Sequence, residues 1–320
     1  MKLISLSCIA NEEDIIETFV RVNATFIDTF FFVDDSTDGT GPILDALKNE
    51  GYDIHRLFRN RSEPYVQEYA TYRAIQHVVK NKFEFDHLFI LDSDEFPKFE
   101  SRIHAINVMA SVPDGCISIY QWETYVPVSL GFAEAEKNVL QDKFRRRSPE
   151  GTTFDKVVIP SSLIDRIYVS VGSHNAYGLI DDQLFPLPKS RLPIALGHFP
   201  VRSADQILRK NLNAVGWLLR KKDRGQGEGW HVYHVLRKLL GSNFNITKEM
   251  LTEIALLYAN QSNSVYASQE PPMWLKPYEL TYASLKTSST TQQLSNMLIN
   301  SWLDPLGTSD SKELKDQLSH

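Results

Sequence analysis

The chain predicts an α/β protein built on an open, largely parallel sheet. Two observations carry this. Short apolar or aromatic runs alternate with segments of helical spacing through residue 125, and the runs end in polar clusters: Asn11-Glu12-Glu13, Asp34-Asp35-Ser36, Arg59-Asn60-Arg61 and Asp92-Ser93-Asp94-Glu95. In a parallel α/β sheet such strand ends are where ligands bind.

Taken in order, residues 2–9 are apolar and β-rich, a first strand. Residues 12–23 follow as a helix, with Ile15, Ile16, Phe19 and Val20 on one stripe and acids in its first turn. Residues 30–33 read as strand and 42–49 as helix, with Thr40 a candidate N-cap and Pro42 at the first helical position. Residues 53–58 are strand. Residues 65–80 are a long helix with Tyr69, Tyr72, Ile75 and Val79 on one stripe. Strand 87–91, helix 103–110 and strand 116–120 complete the alternation.

Beyond residue 125 the pattern changes. Residues 143–153 combine a basic run with Pro and Gly and read as an exposed loop, while 164–171 and 193–197 read as strands. From residue 202 onward the segments 204–219, 231–240, 247–260 and 287–303 are helical, and 309–320 is polar and frayed.

The stretch 34–45 also fits the spacing of a calcium loop, with Asp34, Ser36, Asp38, Gly39 and Asp45 in register. That loop needs an entering helix, and residues 29–33 are a strand-like aromatic run. The calcium reading is therefore set aside.

Composition narrows the function. A net charge of −6 argues against bulk nucleic-acid binding. Two cysteines, Cys8 and Cys116, give neither a disulfide framework nor a metal set, so a reduced, cytoplasmic setting is expected. No apolar run approaches the roughly 20 residues of a membrane span, and the acids after Ala10 are a poor match to a signal-peptide cleavage site.

The strongest chemical signal is "HLFILDSDEF", residues 87–96. An apolar strand delivers Asp92 and Asp94, two residues apart and pointing the same way, so both can approach one hard divalent cation and leave positions open for substrate phosphates. An exposed acidic turn is the plainer alternative, and the apolar strand ahead of it argues against that.

The set "CIANEED", "VDDSTDGT", a glutamine ahead of "FILDSDEF", and "GHFPVRS" resembles a family 2-type glycosyltransferase of the GT-A fold, in the bacterial branch whose metal motif reads D-x-D-E-F. Matching segments cover about residues 1–125 and 156–210. The resemblance implies a Rossmann-like mixed sheet flanked by helices. Residues 1–200 would form the transferase domain, with 1–125 on the nucleotide-sugar and metal side and 126–200 on the acceptor side, and 201–320 a helical C-terminal extension. It implies sugar transfer from a nucleoside diphosphate sugar to a saccharide or lipid-linked acceptor in surface glycan synthesis, with Mn2+ or Mg2+ on the diphosphate; inversion is the expected course, and retention stays open because the fold serves both.

Carried over by residue, Asn11 and Glu12 match the first-strand position facing the nucleoside, and Asp34 or Asp35 the aspartate on the base or ribose. The usual glycine after the paired acids is missing, so the choice between them stays open. Gln67 matches a glutamine near the donor. Asp92 and Asp94 match the metal motif. His198 would be a further metal ligand or a diphosphate contact, and Arg202 a fork onto phosphate oxygens. His174 matches a second histidine and Lys156 a lysine facing the site. A buried, satisfied histidine is the rival for both rings.

Direct displacement needs a carboxylate to take the acceptor's proton. Glu123, expected just beyond the strand 116–120, is the first candidate and Asp155 the reserve, with Trp122 and Tyr125 placed to stack on a sugar. Residues 202–240 hold nine Lys/Arg against three acids. They suit peripheral contact with an anionic membrane, aided by Trp217, Leu218 and Leu219, or neutralisation of the donor or of the chain's own carboxylates. Two other classes remain as rivals: a haloacid dehalogenase-like sugar phosphatase using "LDSDEF" as its nucleophile loop, and a non-catalytic sugar-nucleotide binding protein.

Overall fold

The alternation of Phe30, Phe31, Phe32 and Val33 sends successive side chains to opposite faces of a strand, and both faces are covered. In the computed structural model, which describes residues 1–58, 66–128, 140, 143–150, 154–220, 229–260, 264–275 and 280–286, all four are buried. Phe30 and Phe32 join one core, Phe31 and Val33 the other.

The strands β1 (Leu3–Ile9), β2 (Thr29–Asp34) and β3 (Ile54–Phe58) are parallel neighbours, and β4 (His87–Ile90) pairs parallel on the opposite side of β1. The chain thus changes its direction of travel across the sheet at β1. The crevice between the carboxyl ends of β1 and β4 is a topological switch point, the place where open α/β sheets bind ligands.

Next come β5 (Glu95–Pro97), β6 (Ile117–Pro127), β7 (Phe144–Ser148) and β8 (Asp155–Pro160). β8 lies antiparallel between β4 and β6, which makes the sheet mixed. A small antiparallel sheet holds β9 (Ile167–Val169), β10 (Ala176–Ile180) and β11 (Gln183–Pro186). The strands β12 (Lys189–Arg191) and β13 (Leu196–His198) run parallel along β6, and β14 (Tyr266–Ala267) pairs with β7.

Helices cover both faces. On one side α1 (Ile16–Asn23) and α2 (Thr40–Asn49) pack Phe19, Val20, Ile43, Leu44 and Leu47 onto the phenylalanines of β2. On the other, α3 (Gln67–Lys80) packs Ala74, Ile75 and Val78 against Leu6, Phe31 and Ile90. After α4 (Arg102–Ala110), the helices α5 (Ala204–Arg220), α6 (Trp230–Gly241) and α7 (Lys248–Leu257) build a core around Leu208, Leu212, Val235, Leu239 and Leu251.

Several expectations are corrected. α1 begins at Ile16, so Glu12, Glu13 and Asp14 form the turn before the helix, where cations outside the helix bind them. α2 starts at Thr40 with Gly39 as N-cap, and Pro42 is its third residue. The buried face of α3 is Thr71, Ala74, Ile75 and Val78, while Tyr69 is half exposed. The strand expected at 116–120 runs on to Pro127. Residues 144–148 are a strand rather than a loop, and Arg147 on it is buried. The strand expected at 164–171 is present only at Ile167–Val169, between 3₁₀ turns at Ser161–Arg166 and Val171–Ser173. Leu218 is buried against Val215, Val232 and Leu236, so it is not available for membrane insertion. The helix expected at 287–303, the tail and Arg59-Asn60-Arg61 lie outside the described residues.

Candidate active site

The turns after β1 and β2 are tied together by side chains. Asn11 takes φ 61°, a left-handed conformation that asparagine tolerates better than most residues. Its backbone N–H donates to Ser36 Oγ at 3.0 Å, and its Oδ1 accepts from the Thr37 N–H at 2.8 Å. Glu12 N–H donates to Thr40 Oγ1 at 2.8 Å, which gives Thr40 a bridging role in place of the expected cap. Asp34 is buried and accepts two N–H groups of Arg56 on Oδ2, at 2.7 and 3.1 Å. Asp35 is only partly buried, and its N–H donates to Ile9 O, extending the β1–β2 ladder.

The acids at the end of β1 meet those after β4 around one guanidinium. Arg202 is buried; it donates to Asp14 through Nε and Nη2 at 2.6 and 2.9 Å and to Glu12 Oε2 at 2.6 Å. Its Nη1 reaches Asp94 Oδ2 at 3.4 Å. Burial pushes the Glu12 carboxyl up to about 7 against the pull of Arg202. For Asp14 burial acts in the same direction, but the paired contact with Arg202 outweighs it and leaves the carboxyl below its ordinary value. Two residues from α5 join the cluster. Arg209 donates to Glu13 at 3.0 Å, and Lys210 Nζ donates to Asp94 Oδ2 at 2.9 Å.

Glu95 braces the D-x-D turn from beneath. Its Oε2 accepts the Asp92 N–H at 2.8 Å; its Oε1 accepts the Trp122 indole N–H at 2.9 Å and lies 3.1 Å from Lys156 Nζ. Lys156, fully buried, also donates to Asp92 Oδ2 at 2.7 Å. Burial lifts the Glu95 carboxyl to about 8, opposed by Lys156. Burial alone would lower the Lys156 ammonium, and the facing Asp92 and Glu95 raise it instead. Asp94 resists burial because Lys210, His198 and Arg202 surround it, and it is held well below the carboxylate range.

His198 stacks on the Trp122 ring, centroids 4.1 Å apart, with Nε2 3.8 Å from Asp94 Oδ1 and Nδ1 without a hydrogen-bond partner. Burial keeps this imidazole neutral, far below its usual range. A neutral ring is the form that ligates metal. At 3.8 Å, Asp94 Oδ1 and His198 Nε2 fall between the roughly 3.0 Å of adjacent and 4.2 Å of opposite ligands about 2.1 Å from an octahedral ion, so sharing one needs a small shift of either side chain. No group of three metal-ligating side chains occurs among the described residues.

The remaining candidates sit farther out. His174 Nδ1 contacts Asp155 O at 2.9 Å, and its ring packs on Trp122 and Phe154. Burial lowers it, aided by Lys156. Gln67 Oε1 accepts the Gly172 N–H at 3.3 Å, in the turn just before His174. Glu123 is in the middle of β6, not beyond a strand end. It lines a cleft of about 220 Å³ with Gln121, Trp122, Arg146, Arg191 and Ile194. Its carboxylate is paired with Lys98 and with Arg146. Asp155 pairs with Arg191 at 3.1 Å. Tyr125 is buried against Phe199 and Trp274 and is not free to stack on a sugar, and Trp122 spends its indole on Glu95 and His198.

Sequence reasoning missed Asp14, Lys210 and Arg209 and set Glu95 beside Asp92 and Asp94 facing a diphosphate, whereas it is buried on the Asp92 N–H, Trp122 and Lys156. One signal was present. Gln206, Arg209 and Lys210 fall at i, i+3 and i+4 of a helix that follows Arg202, which places polar residues on one face.

No protein-family model and no curated protein matches the chain. Among solved structures it is similar to S. aureus TarS, at 15% identity and a TM-score of 0.35, over 78% of this chain and 44% of that one. It is also similar to glucosyl-3-phosphoglycerate synthase from Mycobacterium tuberculosis in complex with Mn2+, UDP-glucose and phosphoglyceric acid. There the identity is 16% and the TM-score 0.26, over 41% of this chain and 45% of that one. The chain spans less than half the length of either. Likeness at this level carries no residue role and no substrate across to this protein.

Proposed function

We propose that the chain is a metal-dependent glycosyltransferase that uses a nucleoside diphosphate sugar. The observation that supports it is the meeting of Glu12 and Asp14, from the end of β1, with Asp94, from the end of β4, at the switch point of the sheet. Asp94 and His198 would hold Mn2+ or Mg2+, with phosphate oxygens and water completing the shell. An imidazole in the set favours Mn2+ over the oxygen-preferring Mg2+. The bound ion would supply charge neutralisation for the diphosphate leaving group.

The protein's own residues have separate tasks. Glu95 and Lys156 fix the Asp92 turn, and Trp122 holds the His198 ring flat. Asp34, bound to Arg56, and Asn11 shape the rim where a nucleoside would lie. The cleft beside Trp122 is the place for a saccharide or lipid-linked acceptor, with Glu123 as the carboxylate that takes its proton and Asp155 the reserve. Arg202 spends donors on three acids, and its part in donor binding would be to hold that cluster together.

The test is a thermal-shift panel of nucleoside diphosphates with and without Mn2+, on the wild type and Asp94→Asn. One nucleotide should stabilise the wild type only with metal, and the variant should lose that shift along with most transfer activity. Full activity in excess chelator would overturn the reading. Phosphate release from sugar phosphates, with no nucleoside diphosphate formed, would favour the phosphatase. Donor binding without turnover across many acceptors would favour a binding protein.

A further inference from the structure

Asp94 is an acid of the metal motif, yet its carboxylate is already engaged by the chain's own cations. Oδ2 accepts from Lys210 Nζ at 2.9 Å and from Arg202 Nη1 at 3.4 Å. The two cations differ in freedom. The Arg202 side chain is completely buried and spends its other donors on Glu12 and Asp14. The Lys210 side chain is 31% exposed, reaching Asp94 from α5 on a flexible stem, with Pro200 O at 3.3 Å and the Tyr258 ring centroid at 5.3 Å.

A divalent ion brought alone to Asp94 would meet both charges in a buried setting, where salt screens them little. An ion that arrives with a diphosphate brings the negative oxygens that Lys210 needs as a new partner. We propose that Lys210 is the resident counter-cation of Asp94: it keeps free divalent metal off the motif and passes to the diphosphate when metal and diphosphate arrive together. This rests on the donor reading above, and adds to it a residue and an order of binding. Because linkage is reciprocal, the diphosphate must promote metal binding by the same factor by which metal promotes diphosphate binding.

The test is calorimetric titration of the full chain with Mn2+ alone and with preformed Mn2+–pyrophosphate. Wild type should take Mn2+ alone weakly and the complex more tightly. Lys210→Met should bind Mn2+ alone more tightly, by roughly 5- to 150-fold, the usual range of coupling between sites. It should bind the complex less tightly than wild type does. Such opposite changes cannot come from general damage, which weakens both. Lys210→Gln, which keeps a hydrogen-bond donor toward Asp94 and Pro200, should show the same opposite changes and decides the matter where Lys210→Met folds poorly, and Lys210→Arg should stay near wild type.

Equal or weaker binding of Mn2+ alone by both uncharged variants, with the complex still held by wild type, overturns the inference and leaves the donor reading standing. If no form binds Mn2+ or the complex, and wild type shows no nucleotide-dependent thermal shift, the donor reading fails and this inference falls with it.

Discussion

Arg202 balances three carboxylates from two strand ends, and its removal should show how much of the site depends on it. Taking one partner from a buried ion network leaves charges that cannot reach water, and costs about 3–5 kcal/mol. Arg202→Met should therefore lower stability by about that amount in urea titration, as Glu12, Asp14 and Asp94 lose their shared donor. His198→Ala offers the contrast: its ring is neutral and its Nδ1 has no partner, so mainly the stacking on Trp122 is lost. If Arg202→Met loses no more than His198→Ala, the guanidinium does not hold the cluster together. Asp94, His198 and Arg202 were visible in the sequence because they lie in short motifs beside apolar runs. Lys210 was not, because its partner Asp94 is 116 residues away and nothing local marks the pairing.

Elements show the same division. β1 and β2 were legible because aromatic and β-branched runs buried on both faces have few other uses. β7 was not. Its run of three arginines reads as a solvated loop, yet Arg147 is buried, donating to Leu256 O and Tyr258 O at 3.1 and 2.8 Å and bound to Glu150. Those carbonyls belong to α7 and the residue after it, more than a hundred positions away. At α6, His231 gives a pH prediction. Burial, with help from Lys210, lowers its imidazole from 6.5 to about 4. Below pH 6.5 the unfolded chain takes up a proton that the folded chain refuses until about pH 4, so acid removes stability across that window. Above pH 7 the group contributes nothing to the pH dependence. A shift of this size is worth about 3 kcal/mol. His231→Phe should flatten the stability profile between pH 7 and 4, measured by urea denaturation. A profile as steep as wild type would show that this ring is not the titrating group.

At the scale of the whole molecule, residues 280–286 return to the beginning of the chain and lie across its first two helices. The N–H groups of Thr281 and Tyr282 donate to the buried Glu17 carboxylate at 2.7 and 3.0 Å. Arg21 lies close to the rings of Tyr52 and Tyr282, at 5.9 and 5.8 Å from their centroids, and pairs with Glu17 and Glu50. The segment also reaches the rim of the candidate site. The Leu285 carbonyl packs so closely on Gly39 that a Cβ there would overlap it, and would also stand 2.9 Å from Glu13 Oε2. Gly39 has φ −68°, where alanine is comfortable, so Gly39→Ala tests the contact without straining the backbone. Overpacking of this kind typically costs about 1–3 kcal/mol. The variant should be destabilised by about that much, with faster hydrogen exchange at the Thr281 and Tyr282 amides as the segment lifts from Glu17. Exchange at amides within the buried β1 should rise only as far as the loss of global stability carries it, less than at the two segment amides. If the two amides stay as protected as in wild type, the segment is not seated on Gly39, and the rim of the site forms without it.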